Sequence, residues 1–439
     1  MDGKIKVLIL GQPFNRVTGG GITLSNLFGN WDSNCLAVVC SPYLIDGNTD
    51  FNATSNYYQL GDAEHKWRFP FNLLKRKYVS GPVELPKDSG PPRIDSQKSK
   101  TLRGEIIEKY FYPSLEYLGI MPAVSCVKTS RGLEQWIDAF SPDVIYAQAT
   151  SRNGVNLIRA LQSRYTHIPF IFHMMDDWPS TIRSQNRLGA YWHKVIDTEF
   201  KSMINAASVC LSISDFMSED YLKRYGVRFR TFHNPIDFEF WNKSAKKDYE
   251  LESNCRILYA GRLGLGVDNT LIQVANAVEL LNSKMDINIT LNLQTPSVPD
   301  WAERYRCVVH NPFVAYKELP TVFGKADMLV LPYDFESKSS AFIKYSMPTK
   351  ASEYFASGTP VLVIAPEETA IVKYVRLQRC AAVVNKNCVD SVANGIRQLI
   401  ENKEERASLG NVAKMVAKKF HDAVLVRKHF VETLQSSLK

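Results

Sequence analysis

The sequence predicts an α/β protein built from two Rossmann-like domains. Its 439 residues exceed what one ordinary core needs, and 45% of them are hydrophobic, which excludes a disordered chain. Short apolar stretches alternate with helical patterns, as is typical of a parallel sheet covered by helices on both faces. This series stops at a polar stretch and then starts again, which indicates a second domain of the same kind.

The first domain is predicted over residues 1–240. An apolar strand, Lys4–Leu10, breaks into the glycine-rich turn GQPFNRVTGGG, and an amphipathic helix follows. One later helix is expected to continue through Gln162 and another to end near Gly226. Further strands are expected at LAVVC (36–40), DVIYAQ (143–148), PFIFH (169–173) and SVCLSIS (208–214).

The second domain is predicted over residues 252–418, after the polar stretch NKSAKKDYELESN (242–254). A long helix to Leu281 is expected after its first strand. A terminal amphipathic helix, in 419–439, is expected to cross back to the first domain. The predicted strands are RILYAGR (256–262), INITLNL (287–293), DMLVLPY (327–333) and PVLVIA (360–365).

One segment fits neither series of strands and helices. Residues 80–100 are rich in Pro, Gly, Ser and Lys and lack apolar periodicity, so they predict a mobile insertion. The flanking segments, 66–79 and 105–122, mix aromatic residues with basic or amphipathic character. This composition favours contact with a membrane interface. The alternative interpretation is an aromatic cluster that faces the core, with solvated lysines around it.

Charge and cysteine usage narrow the class of protein. A formal net charge of +8 favours anionic partners, but the charge is spread along the chain, so nucleic acid is not expected. The eight cysteines show no metal-binding spacing and are predicted to be reduced thiols. The chain has no signal-peptide pattern and no apolar run near the ~20 residues of a spanning helix. We therefore expect a cytoplasmic protein, with any membrane contact at the inner face.

The stretch PTKASEYFASG carries a cation and a carboxylate at a predicted helix start. Thr349 is the expected N-cap of a helix that runs to Gly358. Backbone N–H groups at that start, with Lys350 beside them, suit a phosphate group. Glu353 lies one turn further and can accept hydrogen bonds from paired sugar hydroxyls. The combination indicates a nucleoside diphosphate, the alternative being a simple ion pair within the helix or at the surface.

Arg262 is the second candidate for contact with phosphate. It follows a glycine at the end of the second domain's first strand, where open α/β sheets place their ligands. A guanidinium there can hold phosphate oxygens bidentately. The segment GRLGLG is not a P-loop, so its position carries the inference.

In the first domain, His173 ends a predicted buried strand and Asp176 and Asp177 follow it. A histidine at that edge of a parallel sheet points to a ligand site, although a structural histidine is the alternative. An aspartate pair invites a metal interpretation. We favour one aspartate as a hydrogen-bonding or basic group beside a ligand, with a helix N-cap as the alternative.

Three glycines, Gly19–Gly21, follow the first strand. Glycines there permit positive φ angles and close approach of an anion, and a flexible turn is the alternative explanation. No G-x-S-x-G elbow with triad residues is present, so a nucleophilic-serine hydrolase is not expected.

Together these pieces resemble the retaining nucleotide-sugar glycosyltransferases of the GT-B fold, the large family numbered four. The resemblance covers most of the chain and rests on the order and spacing of the motifs. It implies two Rossmann-like domains facing a cleft, with the donor on the second domain and the acceptor mainly on the first. The motifs are Gly19–Gly21, His173, SISDFMSEDYLKRYG followed by HNPID, YAGRL, FVAYKELPTVFGKADMLVLPY and PTKASEYFASGTPVLV.

The resemblance also implies roles for the candidate residues. Glu353 would bind the donor ribose, and Arg262 would neutralise the diphosphate with support from Lys350 and the amides near Pro348 and Thr349. His173 would lie close to the donor sugar and the acceptor hydroxyl. Apart from the resemblance, we predict that Asp176 of the aspartate pair lies by the acceptor or the sugar in a catalytic role. Val314–Glu318 corresponds to the segment that holds the base, and Gly20 and Gly21 would line the diphosphate side of the cleft.

Three departures from the family pattern are visible. Relatives usually carry a second glutamate eight residues before Glu353, facing the donor sugar, where this chain has Tyr345. They also carry a lysine shortly after the arginine, whose charge Lys350 or Lys344 is expected to supply. The third departure is the segment MMDDWP, 174–179.

The resemblance thus implies a retaining glycosyltransferase that needs no metal or cofactor beyond its substrate. It is expected to move a sugar from a nucleotide diphosphate sugar to a hydroxyl of a glycan or lipid-linked saccharide in surface-polysaccharide synthesis. Two alternatives stay open. One is an inactive sugar-nucleotide-binding subunit or scaffold, and the other is a nucleotide-sugar epimerase.

Overall fold

The computed structural model describes residues 5–84, 104, 106–182, 187–264, 266–336 and 343–438. Its contacts divide the chain into two compact units, Met1–Phe232 with Arg427–Lys439, and His233–Val426. Residues 240–252, where the sequence predicted the boundary, belong to the second unit. Most of the predicted insertion, 85–100, lies outside the described residues.

In the first unit, eight of the described strands form one sheet in the order β10-β9-β8-β7-β1-β2-β3-β5. Neighbouring strands pair in parallel except β3 and β5, which are antiparallel. A separate antiparallel pair joins β4 to β6. The strands are β1 (Val7–Leu10), β2 (Leu36–Cys40), β3 (Tyr57–Gln59), β4 (His65–Trp67), β5 (Gly81–Pro82), β6 (Ser125–Val127), β7 (Val144–Ala147), β8 (Phe170–Met174), β9 (Val209–Ser212) and β10 (Phe229–Thr231).

Helices pack on this sheet because its central strands, β1, β7 and β8, are buried along their whole length and almost entirely apolar. Side-chain caps begin several of them, as where Ser130 Oγ accepts from the Leu133 amide. Gly226 ends another in the left-handed conformation, with φ of 73°. The helices are α1 (Gly19–Leu27), α2 (Tyr112–Leu118), α3 (Met121–Val124), α4 (Arg131–Phe140), α5 (Arg152–Arg164), α6 (Trp178–Thr181), α7 (Gly189–Asn205) and α8 (Asp215–Tyr225), with a π-helical turn at Ile107–Phe111 before α2.

In the second unit, six described strands form a wholly parallel sheet in the order β13-β12-β11-β14-β15-β16. The two predicted Rossmann-like sheets are therefore confirmed. The strands are β11 (Asn254–Ala260), β12 (Asn288–Gln294), β13 (Val308–Asn311), β14 (Met328–Pro332), β15 (Val361–Ile364) and β16 (Ala382–Val384).

The core of the second unit lies between this sheet and its helices. Apolar residues at helical spacing, such as Leu271, Val274 and Val278, pack against Ile257 and Leu291 of the central strands. The helices of this unit are α9 (Phe238–Asn242), α10 (Asp268–Asn282), α11 (Leu319–Lys325), α12 (Thr349–Ala356), α13 (Ala370–Gln378), α14 (Val389–Glu401) and α15 (Lys403–Phe420). A last helix, α16 (Ala423–Ser437), begins in this unit and belongs to the first unit from Arg427 onward.

The terminal helix α16 returns to the first unit, as the sequence predicted. Arg427 Nε donates a hydrogen bond to the Asn26 carbonyl at 2.6 Å. The Phe430 ring packs edge-on against Phe28 and Tyr146, with centroids 5.1 and 5.8 Å apart. This segment is therefore part of the first unit's core.

Two further predictions can be compared with the described residues. All eight cysteines lie among them, and none is in a disulfide. No described helix combines the length and apolar character that crossing a bilayer requires.

Candidate functional site

In the second unit, strand β11 ends in a tight turn that presents Arg262. Gly261 adopts φ of 150° and donates its amide to the Gln294 carbonyl at 3.1 Å, which fixes the turn at the carboxyl edge of the sheet. The Tyr259 hydroxyl donates to the Arg262 carbonyl at 2.5 Å. Arg262 itself is exposed at this edge. The turn thus holds the arginine where ligands of open α/β sheets bind.

Helix α12 begins one residue earlier than predicted. Thr349 is its first residue and Pro348 is the N-cap, with an extended ψ of 138°. The reason is that the Pro348 carbonyl already accepts from the Ala351 amide at 3.0 Å and so closes the first turn. Because proline has no side-chain oxygen, it does not cap the first-turn N–H groups. An anion can take that place.

Two tyrosines tie the start of α12 to the end of β11. Lys350 Nζ donates to the Tyr259 hydroxyl at 3.1 Å and lies 4.4 Å above its ring centroid. One turn on, the Tyr354 hydroxyl accepts from the Ala260 amide at 2.9 Å. A Cβ atom on Gly261 would lie 2.1 Å from Lys350 Nζ, so glycine there leaves room for the ammonium group. Lys350 and the Arg262 turn are therefore held together through Tyr259.

Lys350 and Glu353 are half-buried and electrostatically strained. Desolvation lowers the pKa of Lys350 to about 8, an effect that the nearby Glu353 carboxylate partly offsets. Desolvation also raises the pKa of Glu353 to about 8 against the opposing effect of Lys350. A cation at a helix N-terminus is further disfavoured by the helix dipole. No described group donates a hydrogen bond to the Glu353 carboxylate, and the described acceptor for Lys350 Nζ is the neutral Tyr259 hydroxyl. Neither charge therefore has a hydrogen-bonded counter-ion among the described residues.

The remaining predicted donor-site residues lie on two loops. Val314 is half-buried in the loop after β13, and the Gln294 side-chain amide donates to the Pro312 carbonyl in the same loop. Since the Gln294 carbonyl binds the Gly261 amide, this loop is linked to the Arg262 turn. Tyr345 is only 4% exposed, and Lys344 Nζ lies 4.9 Å above its ring centroid. The position of the missing second glutamate is therefore a buried aromatic.

In the first unit, His173 is a buried, neutral imidazole with one unsatisfied nitrogen. It lies on β8 with 1% exposure, and its Nδ1 is 2.7 Å from the Tyr146 hydroxyl. Desolvation lowers its pKa to about 3. Its Nε2 is buried and has no hydrogen-bond partner. An orphaned polar atom of this kind costs about 1–3 kcal/mol, which a ligand oxygen would recover.

The two adjacent aspartates, Asp176 and Asp177, have separate environments. Asp177 is 1% exposed, and its carboxylate accepts hydrogen bonds from Ser180 Oγ, Tyr221 Oη and Arg224 at 2.5, 2.6 and 3.0 Å. It is therefore a structural residue. Asp176 is half-buried in the loop between β8 and α6. Of the pair, only Asp176 stays a candidate for ligand contact.

The three glycines do not lie in the glycine-rich turn that was predicted to precede the helix. Gly19, Gly20 and Gly21 are the first turn of α1, and none has a positive φ. Thr18 is the N-cap, and its Oγ1 accepts from the Gly21 amide at 3.1 Å. The helix starts early because Asn15 Oδ1 accepts from the Thr18 amide at 2.8 Å and organises the preceding turn. A Cβ on Gly21 would lie 2.3 Å from Asn15 Nδ2, so this glycine has a steric role.

Sequence reasoning missed the residues that position the site. Tyr259 and Gln294 support the Arg262 turn, and Tyr146 with Gln148 supports His173. The signal available for Tyr146, Gln148 and Gln294 was a polar side chain near the end of an apolar strand. Among the described residues, no group of three or more His, Cys, Asp or Glu side chains could hold a metal ion.

Comparisons with known proteins cover both halves of the chain. Residues 86–240 match the family described as Glycosyltransferase Family 4, and residues 254–402 match Glycosyl transferases group 1. No curated protein matches the chain.

Solved structures show the same fold at low identity. The chain is similar to sucrose-phosphate synthase from Thermosynechococcus elongatus (12% identity, TM-score 0.60, 99% of each chain covered). It is also similar to α,α-trehalose 6-phosphate synthase from Burkholderia multivorans (13%, 0.59, 98% of each chain). A third is Anabaena HepE, solved with UDP-glucose (13%, 0.54, 98% of this chain and 100% of that one).

These matches agree with the two parallel sheets and with the order of the motifs along the chain. The protein belongs to glycosyltransferase family 4, a retaining family with the GT-B fold, and transfers a sugar from a nucleotide sugar.

Proposed function

We propose that the carboxyl edge of the second sheet binds a nucleoside diphosphate sugar, whose sugar passes to a hydroxyl of a glycan or lipid-linked saccharide in surface-polysaccharide synthesis. One observation carries this proposal. A helix start without a side-chain cap, bearing Lys350, is tied through Tyr259 to the turn of Arg262, with Glu353 one turn further. Phosphate oxygens and sugar hydroxyls supply the partners that this arrangement lacks.

Each donor-site residue then has a role. Arg262, Lys350 and the amides after Pro348, including that of Thr349, neutralise the diphosphate as it leaves. Glu353 accepts hydrogen bonds from the ribose, Val314 lies against the base, and Tyr345 borders the sugar in place of a carboxylate. Each preorganised donor of this kind contributes ~3 kcal/mol to the transition state. The UDP-glucose bound to HepE supports uridine diphosphate sugars as the first donors to test.

Transfer with retention needs no group on the chain to attack the sugar. The bond between the anomeric carbon and the diphosphate oxygen breaks, and the acceptor oxygen bonds to the same face of that carbon. The acceptor's proton goes to the departing diphosphate. His173 acts in this step as a hydrogen-bond donor, because its low pKa and buried Nε2 do not suit a base at neutral pH.

On the first unit, we propose that the acceptor side uses polar groups at the carboxyl edge of β1 and β7. A cavity of about 110 Å³ there is lined by Gln12, Gln148, Thr150 and Asn153. Such side chains suit the hydroxyls of a saccharide. Asp176 hydrogen-bonds the acceptor or the sugar. Of the two glycines, Gly20 is the better candidate for the diphosphate, since the Gly21 amide is already bonded to Thr18.

The donor proposal is tested by thermal stabilisation with a panel of nucleoside diphosphates and their sugars. Wild type is compared with Glu353→Ala and Arg262→Ala. A shift with one base that disappears in both variants supports the donor site. Failure of every nucleotide to shift the wild type rejects it.

Product analysis separates the two alternative functions. An epimerase converts the sugar nucleotide without an acceptor, whereas a transferase needs one. A protein that binds the nucleotide but shows no turnover with any acceptor in a saccharide panel would be the inactive subunit. The departures at Tyr345 and after Arg262 make this control necessary.

We also propose that the segments 66–79 and 105–122, of which Glu105 lies outside the described residues, contact an anionic membrane. The structure brings 187–192 to the same surface. Phe71 stacks on Phe111 at 6.2 Å, and the Arg187 guanidinium lies 5.7 Å over the Tyr117 ring. The exposed apolar side chains on these segments are Phe69, Leu73, Val79, Ile106, Tyr110, Tyr117, Leu118, Leu188 and Tyr191.

Cations border these exposed side chains, which complements an anionic bilayer. Arg76, Lys77, Lys109 and Arg187 are exposed, whereas Lys75 is paired with Asp62 at 3.2 Å. A triple Lys77→Glu, Lys109→Glu, Arg187→Glu variant should lose binding to phosphatidylglycerol vesicles at low salt. The control carries Lys201→Glu and Lys223→Glu, which change exposed lysines on α7 and α8. Equal vesicle binding by wild type and triple variant would overturn the proposal.

A further inference from the structure

We infer that Tyr146 and Gln148 are positioning residues that hold the proton of the neutral His173 ring on Nε2. The inference rests on the proposed function for its catalytic meaning, but the tautomer itself is a property of the protein. It makes His173 a hydrogen-bond donor to the substrate and excludes it from removing the acceptor's proton through Nε2.

Gln148, Tyr146 and His173 form a hydrogen-bonded relay. The direction of its hydrogen bonds fixes the tautomer of His173. The Gln148 side-chain Nε2 can only donate, and it lies 2.9 Å from the Tyr146 hydroxyl oxygen. The Tyr146 oxygen therefore accepts from Gln148. Among the described residues, the buried Tyr146 hydroxyl has no other acceptor than His173 Nδ1 at 2.7 Å, so its proton is donated there. A ring nitrogen that accepts carries no proton. The single proton of the neutral imidazole is left on Nε2.

The relay is held rigidly by its surroundings. Tyr146 lies on β7, directly beside β8, which carries His173, and its side chain is fully buried. Phe28 and Phe430 pack edge-on against its ring at 5.4 and 5.8 Å. The hydroxyl cannot swing to another partner without breaking these contacts.

The inner end of the relay is unsatisfied. His173 Nε2 is buried and has no acceptor. Gln148, at the other end, lines the cavity of about 110 Å³ at the carboxyl edge of the sheet. A protonated Nε2 needs an oxygen acceptor, and a sugar or acceptor hydroxyl supplies one.

The tautomer can be read directly from nitrogen chemical shifts. Full-length protein with ¹⁵N-labelled histidine is measured by long-range ¹H–¹⁵N correlation, and the His173 signals are assigned from their absence in His173→Asn. We expect a protonated Nε2 and an unprotonated Nδ1 in the wild type. A proton on Nδ1 in the wild type overturns the inference, whatever the variants do.

Two variants test the relay. Tyr146→Phe removes the donor to Nδ1, so a mixture of both tautomers is expected. Gln148→Glu places a carboxylate where the amide was, so that Tyr146 donates to it and must accept from the ring, which moves the proton to Nδ1. An unchanged tautomer in both variants, with thermal melting like wild type, would show that the relay does not set it.

Transfer kinetics complete the test. We expect kcat to fall about tenfold in Tyr146→Phe and further in Gln148→Glu, with KM for the donor unchanged. If Tyr146 and Gln148 had only a structural role, the substitutions would lower the melting temperature without lowering kcat at constant KM. The two failures are distinguishable, because the expected tautomer with no transfer on any acceptor rejects the proposed function alone. Active transfer with the proton on Nδ1 rejects only the inference.

Discussion

The carboxyl edges of the two sheets differ in how their charged side chains are paired. On the second sheet, Lys350 and Glu353 are half-buried and desolvated, and no described group donates a hydrogen bond to the Glu353 carboxylate. On the first sheet, the charge of Asp177 is satisfied by three donors, and His173 is neutral. A desolvated charge that lacks a hydrogen-bonded counter-ion among the described residues indicates a place for a charged ligand, whereas a carboxylate that accepts from several donors indicates a structural role.

Replacing Lys350 should give the largest effect on activity. If activity does not fall, the contrast between the edges of the two sheets has no functional meaning. In Lys350→Ala, we expect kcat to fall about 10²–10³-fold, because one charged donor to the leaving group is lost. The melting temperature should hold or rise, since the buried ammonium is destabilising. Release of nucleoside diphosphate measures kcat.

The matched control for Lys350 is Lys344→Ala, because either lysine was expected to replace the missing one. Lys344 lies over the Tyr345 ring, so its loss should lower kcat less than tenfold. A larger loss from Lys344 than from Lys350 would reverse the assignment.

Replacing Asp177 should give the largest effect on stability. In Asp177→Ala the guanidinium of Arg224 and the hydroxyl of Tyr221 lose their acceptor, which should lower the free energy of unfolding of the first unit by about 3–4 kcal/mol. Asp176→Ala should cost less than about 1 kcal/mol. Urea denaturation followed by tryptophan fluorescence measures both. Equal urea midpoints for the two variants would refute the assignment of a structural role to Asp177 alone.

The strain at Glu353 predicts a pH-dependent stability. Its pKa is about 8 in the folded chain against 4.5 as the ordinary value, so the folded state binds more protons between these limits. Stability should therefore fall as pH rises from 5 to 8, by about 1–2 kcal/mol after allowance for solvent screening.

Above pH 8, release of the Lys350 proton should offset this loss, because its pKa in the folded chain lies below the ordinary 10.5. Thermal melting across this range compares wild type with Glu353→Gln. The variant should lack the decline between pH 5 and 8, and identical profiles would show that the carboxyl is not strained.

The smallest expected effect concerns the glycines of α1. Gly21→Ala forces a methyl group against Asn15 and should cost about 1–2 kcal/mol. Gly19→Ala meets no atom within 4 Å, so it should stabilise the helix by about 0.5 kcal/mol. Urea midpoints measure both. Stabilisation by both substitutions would show that Asn15 moves aside.

The sequence was sufficient for the fold class and for the central strands of both sheets, but it did not predict the strands 57–59, 229–231, 308–311 and 382–384. Apolar strands such as 36–40 and 360–365 carry their own pattern, and position alone places Arg262 and His173 at sheet edges. It was not sufficient where a contact joins distant residues. Tyr259 meets Lys350 across 91 positions and Tyr146 meets His173 across 27, and no local pattern encodes such pairs.

Two local predictions failed for reasons that are themselves local. Gly19–Gly21 looked like part of a turn before the helix, but Asn15 and Thr18 cap a helix that the glycines begin. Thr349 looked like a cap, but the carbonyl of Pro348 closes the turn first. In both cases a neighbouring group formed a hydrogen bond with the backbone at the helix start. Residue propensities do not predict which group forms that bond.

Because the terminal helix returns to the first unit, the two units are completed at different times during synthesis. The second unit, His233–Val426, is one continuous piece of chain, whereas the first needs Arg427–Lys439 to cover Phe28 and Tyr146. The ribosome synthesises residues 427–439 after residues 1–426, so the first unit lacks this cover until the second unit has been translated. The part of the protein that is translated first is therefore the part that completes its folding last.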